Sequence, residues 1–101
     1  MFIYNVTTKV DHSICKEWQQ WQKDIHIPEI MKSELFYEHR FYQLLEHDDE
    51  EGKTFVTQFL THSKSDYEKY LHQFAPDLRK KSLERWGAKV ISFRSLLKSV
   101  Q

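Results

Sequence analysis

Apolar residues recur along this chain with two different periods, and the order in which those periods alternate leaves few folds open. From Phe2 to Val10 the residues are β-branched and aromatic. Alternation puts Phe2, Tyr4, Val6 and Val10 on one face and Ile3, Asn5 and Thr7 on the other, which predicts a strand. Asp11, His12 and Ser13 then form a capping cluster, with Glu17 four residues after Ser13. Ile14, Trp18, Trp21 and Ile25 follow at spacings of four, three and four, the apolar stripe of a helix.

Pro28 lacks an N–H and its ring collides with the preceding turn, so His26-Ile27-Pro28-Glu29 should kink or restart that helix. The restarted turn carries Ile30 and Met31. A strand is predicted from about Leu35 to Glu46, with Tyr37, His39, Phe41 and Leu45 alternating against Phe36, Arg40, Tyr42 and Leu44. The acidic run from His47 to Lys53 reads as a hairpin loop, and it lacks the spaced ligands of an EF-hand. Thr54 to Thr61 is a third strand.

Ser63 or Ser65 caps a second helix, whose Tyr67, Tyr70, Leu71 and Phe74 share one face. Ala75-Pro76-Asp77 breaks it. A further turn or two points Leu78, Leu83 and Trp86 inward and stops at Gly87, with left-handed backbone there. Lys89 to Leu97 is the fourth strand. The order β-α-β-β-α-β predicts one α+β domain over residues 1–101, a ferredoxin-like fold with helices on one face of a four-stranded antiparallel sheet. The other face would then carry Ile3, Phe36, Leu44, Val56, Leu60 and Leu96. That is too apolar for water, so we expect a second copy to cover it, giving a dimeric α+β barrel.

Composition narrows the function. Fifteen basic residues balance fifteen acidic ones, which removes the broad positive field that nucleic acid or an anionic membrane would need. No run approaches the length of an apolar span, and Met1 to Val6 shows no basic region followed by a long apolar stretch. Cys15 is the only cysteine, so no internal disulfide forms, and a reducing, cytoplasmic setting is expected.

The six histidines, at 12, 26, 39, 47, 62 and 72, lack metal-site spacing, and no metal or cofactor is expected. His26 is set apart by the Pro28 kink, which could turn it toward a space between helix and sheet. It reads either as an acid–base group or as a structural imidazole. On the open face, parity groups Asn5, Thr7, Arg40, Tyr42, Gln58, Ser92 and Arg94, with Phe93 sent to the core. The two arginines could hold a carboxylate or phosphate, or pair with Glu38 or a partner's acid. The stripe Trp18, Trp21, Tyr67, Tyr70, Phe74 and Trp86 is core. Cys15 lacks a paired base, and no phosphate loop or nucleophile elbow is present.

Four stretches carry a resemblance: Met1-Phe-Ile-Tyr-Asn-Val-Thr, Trp18-x-x-Trp21-x-x-x-x-His26-Ile-Pro-Glu-Ile, Ala75-Pro-x-Leu and Glu84-Arg-Trp-Gly. Together they resemble the small bacterial family known as domain of unknown function 4286. That resemblance implies a ferredoxin-like, dimeric barrel fold and no catalytic residues. More distantly, a helix with Trp and then His-x-Pro is similar to helices of the antibiotic-biosynthesis monooxygenase, EthD-like and NIPSNAP families. Three functions stay open. One is a dimeric domain binding a small anionic or aromatic ligand between sheet and helices. Another is a cofactor-free oxygenase or isomerase, with His26 as acid or base and Arg40 or Arg94 holding the substrate. The third is a protein-interaction module using the open face.

Overall fold

The computed structural model describes residues 1–101. The strands are β1 (Phe2–Asp11), β2 (Glu38–Gln43), β3 (Gly52–Thr61) and β4 (Val90–Lys98). They form one antiparallel sheet in the order β2-β3-β1-β4. The helices are α1 (Cys15–Trp21) and α2 (Ile27–Met31) after β1, then α3 (Lys64–Gln73) and α4 (Ala75–Trp86) after β3. This is the ferredoxin-like arrangement read from the sequence. No helix is long and apolar enough to cross a membrane.

The helices cover the face to which β1 contributes Tyr4, Val6, Thr8 and Val10. One part of the core gathers Tyr4, Phe36, Phe59 and Tyr70 with Ile27 and Ile30. The other gathers Val10, Trp18, Trp21, Phe55 and Trp86. Burying such aromatic side chains stabilises the fold by about 2–3 kcal/mol each. Ser63 caps α3 as expected, its Oγ accepting from the Asp66 N–H at 3.1 Å.

Pro28 does not interrupt the first helix. It has no proton for the Asp24 carbonyl, and its ring would collide with that carbonyl in a regular helix. The chain widens instead into a π turn over Gln22–His26, where the Ile27 N–H reaches back to the Gln22 carbonyl. The helix runs on through α2 with Pro28 in its first turn.

Several expected placements are corrected. β2 is shorter than Leu35–Glu46, because Phe36 leaves the sheet and plugs the core, 4% exposed, against Tyr4, Phe59 and Tyr70. α4 is a full 12-residue helix rather than a turn or two, and Leu83 on it is 67% exposed rather than inward. Gly87 has the expected positive φ of 58° but a ψ of −138°, a conformation glycine alone takes readily, leading into a 3₁₀ turn.

The parity of β4 is the opposite of that expected. Pairing sets Val10 against Val90, Thr8 against Ser92, Val6 against Arg94 and Tyr4 against Leu96. Directly opposed residues share a face. Ser92, Arg94 and Leu96 therefore lie on the helix side, while Ile91, Phe93, Ser95 and Leu97 lie on the open face. Phe93 is 71% exposed there rather than buried in the core. Leu60 has the expected parity, opposite Ile3, yet is already buried within the chain.

Candidate functional site

Between the helix-side face of β1 and β4 and the helices above it lies a cavity of about 40 Å³. That is room for about three water molecules and well below the size of a drug-sized pocket. The π turn decides which side chains reach it. In a regular helix residues five apart lie about 140° apart around the axis. The wider turn brings His26 over Trp21 instead, and the two rings stack with centroids 4.6 Å apart and planes 18° apart. Both line the cavity, as does Gln22 on the same turn, whose Nε2 donates to Thr57 Oγ1 at 3.1 Å.

Two cations line the same cavity. Arg79 Nη2, from α4, and Arg94 Nε, from β4, each donate to the phenol oxygen of Tyr4 at 3.1 Å. Neither guanidinium has a carboxylate within ion-pair distance; the four ion pairs of the chain involve Lys9, Arg40, Lys80 and Lys81. Two donors on one oxygen hold like charges close, a repulsion that solvent lowers at the exposed guanidiniums. Tyr4 itself is 2% exposed. With its oxygen accepting twice, its own O–H remains as a donor with no acceptor in the chain.

His26 makes no hydrogen bond. Burial pushes its pKa down from 6.5 to about 4, with Arg94 adding to the fall and Glu29 opposing it. The imidazole is therefore neutral near pH 7. Burial raises the Tyr70 phenol above its ordinary value, so it too is neutral. The cavity holds two fixed cations, a neutral imidazole and free hydrogen-bonding groups, over an apolar floor that includes Trp18, Trp21 and Phe59.

The residues singled out in the sequence divide between two faces. His26 and Arg94 reach the cavity, and Ser92 lines it too, its Oγ 3.0 Å from Thr8 Oγ1. Asn5, Arg40, Tyr42 and Gln58 lie on the open face and do not join Arg94. Arg40, Gln58, Asn5 and Ser95 form a row in register across all four strands. Within it Gln58 Nε2 donates to Asn5 Oδ1 at 3.2 Å, and Arg40 pairs with Glu38 at 3.3 Å. Tyr4 and Arg79 were not singled out in the sequence.

The other histidines stand apart. His12 bonds the Asp49 carbonyl and His62 stacks on Tyr37. No three His, Cys, Asp or Glu side chains come together. Cys15 is buried in the core, its sulfur accepting from the Gln19 amide.

Residues 1–100 match the model of a domain of unknown function, DUF4286. The chain belongs to the DUF4286 family. None of the curated proteins matches this DUF4286 sequence. Its fold is similar to a dimeric ferredoxin-like protein from an uncultured marine organism, with a TM-score of 0.74 at 11% identity, covering 99% of this chain and 95% of that one. It is also similar to SnoaB, a cofactor-independent oxygenase from Streptomyces nogalater, with a TM-score of 0.67 at 14% identity, covering 99% and 94%. A dimeric ferredoxin-like protein of unknown function from Thermobifida fusca gives a TM-score of 0.54 at 14% identity, covering 96% and 92%. At these identities the likeness establishes that the DUF4286 fold is ferredoxin-like.

Proposed function

We propose that this DUF4286 chain is a cytoplasmic homodimer that binds a small anionic molecule in the space between sheet and helices. One observation carries the ligand reading: Arg79 and Arg94, with no acid of their own, converge on the buried oxygen of Tyr4 at the cavity. A guanidinium does not lose its proton, so the pair offers an entering anion two fixed positive charges that no carboxylate of the chain occupies. A carboxylate or one edge of a phosphate matches the planar donor fork. The present cavity admits only the head of such a molecule, so the rest extends past the exposed arginines or enters as side chains move.

The open face supports the dimer. Ile91, Phe93, Leu97 and Tyr42 are 54, 71, 43 and 50% exposed on it, an apolar surface in want of a cover. The two similar proteins described as dimeric share the fold. In this reading Asn5, Arg40, Tyr42 and Gln58 meet the partner protomer rather than the ligand. A single, buried cysteine suits a reducing compartment.

Thermal unfolding with a panel of small carboxylates and phosphates tests the ligand reading. An anion at about 100 times its Kd adds about 2.7 kcal/mol of stability. Arg94→Ala should remove that gain while changing the unliganded protein little, because Arg94 has no carboxylate partner to strand. A large loss of stability in Arg94→Ala, with no anion effect on the parent, would make Arg94 structural and sink the reading.

A second reading, a cofactor-free oxygenase or isomerase, is favoured by one observation: His26 is neutral, without a hydrogen bond, in the same cavity as the arginines. It predicts turnover, with or without oxygen consumption, that His26→Gln abolishes while anion binding persists.

A further inference from the structure

We infer that His26 is a contact group of this anion site and takes up a proton as the anion enters, so that the cavity accepts a weak acid together with its proton. The inference rests on the anion-binding reading above. Its basis is geometric. The imidazole lines the cavity that holds Arg79, Arg94 and Tyr4. Stacking on Trp21 covers one face of the ring and leaves its edge out of that contact. Neither nitrogen has a partner in the chain, so an entering carboxylate would meet an acceptor or a donor according to the proton the ring carries.

The charged and titratable groups around His26 set the direction. On its own helix Glu29 favours the imidazolium, but that carboxylate is already engaged by Lys81 at 3.0 Å. From β4, Arg94 opposes it. Arg79 on α4 adds a second fixed cation, and β1 and α3 contribute the phenols of Tyr4 and Tyr70. In the empty site a proton on His26 would place a third cation beside two unpaired ones, where little water can solvate it. An anion on the arginines cancels their field and supplies an oxygen to accept the new N–H. Proton and anion therefore bind cooperatively, and each must strengthen the other equally. The residue also sets specificity: ligands presenting an oxygen toward the Trp21 side gain from the proton, whereas those ending in an apolar group there do not.

The sign follows from linkage. The anion raises the pKa of His26 from its low value in the empty site, so affinity falls as pH rises between the two values, by up to about tenfold per pH unit. Sulfate and benzenesulfonate are suitable probes because their own charge is constant between about pH 5 and 8, leaving only the protein to titrate. Calorimetric titration in two cationic buffers of different ionisation heat should show uptake of up to one proton per anion, and tighter binding at the acid end. His26→Gln should abolish the uptake, with near-ultraviolet circular dichroism verifying its fold; His26→Asn serves if Gln does not fold. Binding of either probe with no uptake and no pH dependence overturns the role of His26 but leaves the anion site standing. Uptake that persists in the variant also overturns it. If neither probe binds at any pH, the anion-binding reading falls and this inference with it.

Discussion

Replacing His26 by glutamine should make the protein more resistant to acid, with a magnitude set by the environment of the ring. In the folded chain the imidazole has a pKa of about 4, against 6.5 without the fold, mainly because the cavity wall keeps water from it. Between these values the unfolded chain holds a proton that the folded chain releases, so stability falls as pH drops through that window, and below it the whole loss persists without further change from His26. A difference of 2.5 units corresponds to about 3 kcal/mol, an upper bound because the ring keeps some solvent contact. The Asp11 carboxylate acts further down. Hydrogen bonds from Ser13 lower its pKa below 3.8, so its stabilisation is present above that value and is lost as pH falls through the lowered one. Urea unfolding of parent and His26→Gln at fixed protein concentration, from about pH 7.5 to pH 4, measures the difference directly. The parent should lose up to about 3 kcal/mol more than the variant, nearly all of it between pH 6.5 and 4. Parallel curves would show that His26 is solvated in the folded protein and refute the reasoning.

Tyr4→Phe keeps the ring against Phe36, Phe59 and Tyr70 but removes the oxygen that takes both guanidiniums; the exposed arginines can turn to water, so the unliganded protein should lose about 1 kcal/mol or less. Thermal unfolding should show its response to anions weakened, and an unchanged response would separate Tyr4 from the site. Phe93→Glu places a charge on the open face at a residue 71% exposed in the single chain, so helix content by circular dichroism should hold while light scattering at micromolar concentration shows the mass fall from a dimer to about 12.4 kDa. A parent that already scatters as a monomer would remove the dimer. Gly52→Ala would press a methyl carbon against the Val10 carbonyl where β3 meets β1, and urea unfolding should report a loss of about 1–3 kcal/mol.

The order of elements, the Ser63 cap, the disturbance at Pro28 and the position of His26 beside it were legible in the sequence, because each depends on side chains and backbone within a few residues. Even the π turn has its cause in one missing N–H. The arrangement across the sheet was not legible in that way. Phe93 reads as core and Arg94 as open-face when hydrophobicity alone assigns the faces of β4. The ladder to β1 reverses both, because strand pairing fixes every residue of an edge strand at once, and Val90 is the one set against Val10. Phe36 looked like a strand residue until Tyr4, Phe59 and Tyr70 enclosed it. The meeting of Tyr4 with Arg79 and Arg94, 75 and 90 residues further along, has no local signature. Local chemistry determined the elements. Only tertiary structure could bring two like charges onto one buried oxygen, since the sheet and helices that stabilise the fold offset that repulsion.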